Sequence, residues 1–149
     1  MIWGVLPAAL LIVTLILGFL FLRNLQARRA KEVMSKFQGK QVYAMSSGAN
    51  FIGQQSKGRG RLRGNGVFVL GDKGIYFEMW VPRRTVSIPY KNVVSVETPT
   101  SFMGRFTGIK MLKVVFRNEN NETDAVGWSI SHVDRYVNLL NDLCRTNRR

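Results

Sequence analysis

Residues 2–22, IWGVLPAALLIVTLILGFLFL, form an unbroken apolar run with no Lys, Arg, Asp or Glu and one hydroxyl, Thr14. As a helix this run spans about 31 Å, matching a hydrocarbon core of about 30 Å. Lipid offers no partner for backbone N–H and C=O groups, so a helix, which pairs them internally, is the form the run can take there. Pro7 falls in the first turns, where a missing N–H costs least, and Trp3 suits an interfacial anchor at the far side. A cleaved signal peptide is the competing reading. It calls for a basic stretch ahead of a shorter apolar core and a small-x-small cleavage site. Here the core has full length and runs directly into Phe-Leu-Arg-Asn-Leu-Gln, so a retained anchor is expected.

The formal net charge of +13, from 22 Lys and Arg against 9 Asp and Glu, therefore sits wholly on residues 23–149. That part is too rich in β-branched and aromatic residues for a disordered tail, and it should fold. A basic domain suits nucleic acid, acidic protein or anionic lipid, and an anchor favours the lipid. Arg23, Arg28, Arg29, Lys31, Lys36 and Lys40 follow the apolar run against a single Glu32. The excess of positive charge on this flank predicts a single-pass protein of the cell membrane, N-terminus outside and C-terminal domain cytoplasmic. Arg23, Arg28, Arg29 and Lys31 can also grip an anionic leaflet, at about 1 kcal/mol each, or serve only as the topology signal; both readings stand. The sequon Asn121-Glu122-Thr123 should then stay unused. The one cysteine, Cys144, excludes an internal disulfide and reads as a small apolar helix residue.

Residues 23–38 continue as a helix, and residues 41–50, with Ser46-Ser47-Gly48, read as a connector. The expected division is a transmembrane helix at 1–22, a basic juxtamembrane helix and connector at 23–49, a folded domain at 50–145 and a basic tail at 146–149, which holds Arg148 and Arg149. Alternation within the domain predicts seven short strands, near 50–55, 61–70, 74–81, 85–90, 92–98, 109–118 and through Val126, Trp128 and Ile130. Their inward residues should include Leu62, Phe68 and Leu70; Ile75, Phe77, Met79 and Val81; Val86 and Ile88; Val94 and Val96; and Leu112, Val114 and Phe116. A final helix is expected from an N-cap at Ser131, with Val133, Tyr136, Val137, Leu140, Leu143 and Cys144 on its apolar face. This predicts a mainly β, α+β fold: a bent sheet or partly open barrel capped by a C-terminal helix.

Three phrases, Gly66-Val67-Phe68-Val69-Leu70, Ile75-Tyr76-Phe77-Glu78 and Ser87-Ile88-Pro89-Tyr90 followed by Val93-Val94-Ser95-Val96, resemble the pleckstrin-homology (PH) superfold, in the style of GRAM and bacterial PH-like domains. The resemblance covers roughly residues 50–143. It implies a seven-stranded bent barrel with a C-terminal helix, in a superfamily whose members bind lipids, proteins or both.

Chemistry is sparse. His132 has no partner for a metal or a triad, the carboxylates are scattered, and the Gly-rich stretch at 58–66 fits neither a P-loop nor a dinucleotide fingerprint. A binding module without cofactor or metal is expected rather than an enzyme. Lys57, Arg59, Arg61 and Arg63 occupy alternate positions, which an extended backbone turns to one side, and the intervening glycines let an anion approach closely. The PH resemblance puts this run at the strand 1–2 turn, where lipid-binding relatives carry basic residues, with Arg83 and Arg84 at the same barrel end. An ordinary solvated hairpin is the plain alternative. In the loop 101–108, Phe102, Met103, Arg105 and Phe106 either dip into the membrane interface or pack back onto the barrel. The leading partner is thus anionic membrane lipid. A scaffold that binds a membrane-protein partner is the alternative, and nucleic acid is disfavoured because no aromatics interleave the basic run.

Overall fold

In a computed structural model, which describes residues 5–58 and 63–147, the chain is α+β and mainly β. Trp3, Arg59, Arg61, Leu62, Arg148 and Arg149 lie outside the described residues. Helix α1 (Val5–Lys36) carries the apolar run without a break into the basic segment that follows it. Nine strands follow among the described residues: β1 (Val42–Gln54), β2 (Gly64–Gly71), β3 (Gly74–Met79), β4 (Arg84–Pro89), β5 (Val93–Glu97), β6 (Ser101–Phe102), β7 (Arg105–Phe106), β8 (Leu112–Arg117) and β9 (Thr123–Ser129). Helix α2 (Val133–Thr146) closes the chain.

Seven strands make one antiparallel sheet in the order β4-β3-β2-β1-β9-β8-β5, while β6 and β7 pair separately. β1 joins both halves, bonding to β2 along its first part and to β9 from Asn50 onward. β4 and β5 are the two edges, so the barrel is open between them. Phe51, Phe68, Phe77 and Trp128 meet inside as an aromatic cluster, and Tyr136 of α2 packs edge-on to Phe68 at 5.7 Å between ring centres. Val133, Leu140, Leu143 and Cys144 bury the rest of the apolar face of α2 against the same core. Rings set edge-to-face add attraction beyond the area they bury.

Four local expectations fail. β3 ends at Met79, so Val81 falls in the turn before β4 and is 69% exposed. Residues 42–49 are strand, not connector: Ser46-Ser47-Gly48 makes a bulge, with the β1–β2 register shifting between Ser46 and Ala49. In β5 the register shifts between Val93 and Ser95, so Val93 is buried and Val94 is 48% exposed, while Val96 keeps contact with the core. The N-cap of α2 is His132, left-handed with φ 56°, and it makes no side-chain cap bond; Ser131 precedes it.

The outer face of β2 is covered. Val67 and Val69 point outward, opposite Phe68 and Leu70, and Val33 of α1 seals them at 1% exposure. Ala30, Phe37, Val42, Tyr76 and Trp80 complete this second cluster. The end of α1 is thus part of the folded domain.

Candidate functional site

The base of the basic hairpin is built by a buried carboxylate. Asp124 of β9 accepts hydrogen bonds from Gln54 Nε2 and Ser56 Oγ, both at 2.6 Å, from Ser56 N at 2.9 Å and from Ala125 N at 2.8 Å. Burial alone would raise its pKa, but these donors hold it below the ordinary aspartate value. They also fix the turn Gln55–Lys57, after which Gly58 takes φ 78°, a region open to glycine at no steric cost. Lys57 and Arg63 are exposed on the two sides of the hairpin.

Lys57 and Arg84 line one polar cleft of about 630 Å³ together with Arg117, at the open seam between β4 and the β8–β9 turn. Two carboxylates share it: Asp124, saturated as described, and Glu119, which is exposed. Arg117, whose Nη1 donates to Asn121 O at 3.1 Å, was not singled out from the sequence. Its position one residue before a polar turn gives little hint that it faces Arg84 across the seam.

Arg83 stands apart from this cleft. Its Nε donates to Glu78 Oε1 at 2.9 Å, and its Nη2 bonds to Glu32 Oε1 of α1. Glu78, 2% exposed, also accepts from Tyr76 OH at 2.6 Å and from Lys36 Nζ. Arg29 donates to the other oxygen of Glu32 at 3.0 Å. Arg83 therefore ties α1 to β3 instead of sharing the cleft with Arg84. Burial works to raise the Glu78 pKa, yet the donors Lys36, Tyr76 and Arg83 prevail and lower it to about 2.

The loop 101–108 splits between the two expected behaviours. β6 and β7 form a hairpin across Met103-Gly104, both with positive φ, the geometry of a tight two-residue turn. Phe102 is buried in a small cluster with Ile52, Met111 and Ala125, and Met103 packs beside them. Arg105 and Phe106 are exposed, Phe106 by 76%. This hairpin borders the start of the basic loop, since Phe102 and Met103 share a cavity of about 440 Å³ with Gln55 and Gly58. Of the juxtamembrane residues, Arg23, Arg28 and Lys31 are exposed with no carboxylate partner among the described residues, whereas Arg29 is held by Glu32. Helix α1 is the one described helix long and apolar enough to cross a membrane, and none of its apolar window is buried.

No protein-family model and no curated protein matches this chain. Among solved structures it is similar to the C-terminal domain of an unknown protein from Leishmania infantum, with TM-score 0.52 and 11% identity, over 76% of this chain and 93% of that one. It is also similar to a structure of human RhoA in complex with the DH/PH fragment of PDZRHOGEF, with TM-score 0.50 and 7% identity. That match takes in 72% of this chain and 30% of that one. At these identities the likeness is one of fold: the chain carries a PH-like barrel behind an N-terminal helix able to span a membrane.

Proposed function

We propose that this protein is a membrane-anchored PH-like binding module, not an enzyme, that contacts anionic lipid headgroups at the inner leaflet through Lys57, Arg59, Arg61, Arg63 and Arg84. The observation that carries this reading is the antiparallel packing of α1 and β1. Phe37 and Val42 lie in one cluster near the turn, and Gln26 Nε2 donates to Ser47 O at 3.4 Å farther up. β1 therefore climbs back toward the apolar part of α1. From Gly48 to Gln54 the strand covers about 20 Å, whereas Gln26 is only about 6 Å of helix from Leu22. Even inclined at about 45°, the strand carries its far end, with Lys57 just beyond it, level with the end of the apolar segment. Exposed Phe106, in the hairpin that borders Gly58, supplies an apolar tip for the interface. Because the anchor already recruits the domain, headgroup contact needs only to orient it or to respond to lipid composition.

The test uses the full chain in nanodiscs with and without phosphatidylserine, and a photoactivatable phosphatidylserine as probe. Crosslinks should map to 57–63 and 84, weaken with salt, and fall when Lys57, Arg59, Arg61, Arg63 and Arg84 become Ser. Unchanged crosslinking would reject the assignment. A stoichiometric membrane-protein partner captured without any lipid preference would support the scaffold reading instead.

A further inference from the structure

At the opposite end of the barrel, a second cleft of about 630 Å³ lies where the end of α1, the β2–β3 turn and the end of β4 converge. Half-buried Phe37, Tyr76 and Pro89 form part of its wall, and Lys40, Lys73 and Lys91 stand exposed around it. None of these three lysines has a carboxylate partner among the described residues; Lys40 Nζ lies 6.0 Å from the centre of the Phe37 ring. Asp72 is the one carboxylate on the cleft, and Lys36, also on it, is occupied by Glu78. The unpaired balance is three cations against one anion, beside an apolar wall.

The membrane cannot supply the missing anion if the anchor is retained, a condition this inference shares with the proposed function. Lys36 is about 21 Å of helix beyond Leu22, and Lys40 lies farther along the chain. The field of a charged leaflet decays over about 8 Å at physiological salt, so these lysines sit more than two decay lengths away. The β2–β3 turn and the β1–β2 hairpin are opposite ends of the same strand, so occupation of one leaves the other open. Small anions would use the charge but leave the apolar wall uncovered. An extended chain carrying carboxylates around an aromatic or aliphatic side chain uses both, with β4, an edge of the sheet among the described residues, at its flank.

We infer that this membrane-distal cleft docks an acidic peptide segment of a partner protein, with an apolar side chain against Phe37, Tyr76 and Pro89 and carboxylates on Lys40, Lys73 and Lys91. The test places the full chain in nanodiscs of phosphatidylcholine alone, which removes the lipid charge from the experiment. The probe is a short fluorescein-labelled peptide of glutamates flanking one phenylalanine, followed by anisotropy. Saturable binding is expected below about 1 mM. It should weaken about tenfold or more in a Lys40→Glu/Lys73→Glu/Lys91→Glu variant and persist in a Lys57→Ser/Arg84→Ser variant. The same peptide with glutamines for glutamates should not bind. Absence of saturable binding, equal binding by the triple variant, or equal binding of the glutamine peptide would overturn the inference. So would displacement by millimolar inorganic phosphate, which marks a small-anion site, or capture of phosphatidylserine vesicles through the same lysines, which marks a second membrane. The triple variant's headgroup crosslinking at 57–63 reports whether its fold is intact, so loss of this site and failure of the lipid reading are separately visible.

Discussion

The guanidinium of Arg83 lies between two carboxylates from different layers of the molecule, with its Nε 2.9 Å from Glu78 Oε1 of β3 and its Nη2 bonded to Glu32 of α1. This bridge, with Lys36 on Glu78 from the same helix and Val33 packed on Val67 and Val69, locks α1 to the barrel. Arg83→Ser should therefore leave phosphatidylserine crosslinking at 57–63 unchanged while raising amide exchange in residues 30–37. Arg84→Ser should do the reverse. A loss of crosslinking on Arg83→Ser would move Arg83 back to the lipid surface.

Replacing Glu78 by Gln should be worse than losing any one of its donors. The amide keeps the shape but removes the charge that Lys36, Tyr76 and Arg83 all bond. Hydrogen bonds to a buried charge are worth about 1.5–3 kcal/mol, and Lys36 and Arg83 are nearly half exposed, which screens part of it. A loss of roughly 1–3 kcal/mol in domain stability is expected from thermal unfolding in detergent.

Acid should undo the same junction. The folded pKa of Glu78, about 2, lies below its ordinary value of 4.5, so its contribution is fully present above pH 4.5 and is lost as pH falls toward 2. Asp124 is also lowered and adds loss in the acid range at the base of the basic hairpin. Melting temperature should fall between pH 4.5 and 2, and the Glu78→Gln protein should show a smaller drop over that interval. An identical pH profile for both proteins would deny Glu78 this part.

Asp124→Ala should free Gln54 and Ser56 while leaving four donors without their acceptor. A cost of about 1–3 kcal/mol follows from the unmet hydrogen bonds. Amide exchange at residues 54–58 should rise more than in β2 or β3. Headgroup crosslinking should weaken although every basic residue is retained, which would distinguish a built site from mere charge.

Strand alternation made much of the barrel legible in the sequence. Ile75, Phe77 and Met79 are buried together, as are Leu112, Val114 and Phe116, because one face of each strand meets the core. Bulges defeated the same logic: one flipped Val93 inward and Val94 outward, and another made Ser46-Ser47-Gly48 look like a linker while it lies inside β1. The covered outer face had a visible sign, since Val67 and Val69 alternate with Phe68 and Leu70 and leave β2 apolar on both sides. Such a strand needs a second layer, and the amphipathic end of α1 supplies it. Lys57 and Arg84 line one cleft, but Arg83 is engaged by Glu78, five residues before it, and by Glu32, which lies far from it in sequence and meets it only through the docking of α1.

Because α1 runs unbroken from its apolar part into the docked turn at Val33, the barrel is held at a fixed rotation relative to that apolar part. One residue inserted after Arg23 would rotate the whole domain by about 100° and lower it by about 1.5 Å. Seven would return it nearly to its starting bearing, about 10 Å farther from the apolar segment. Helix α1 thus acts as an indexed shaft, and its length in residues sets the direction, relative to its apolar segment, in which the barrel's clefts open.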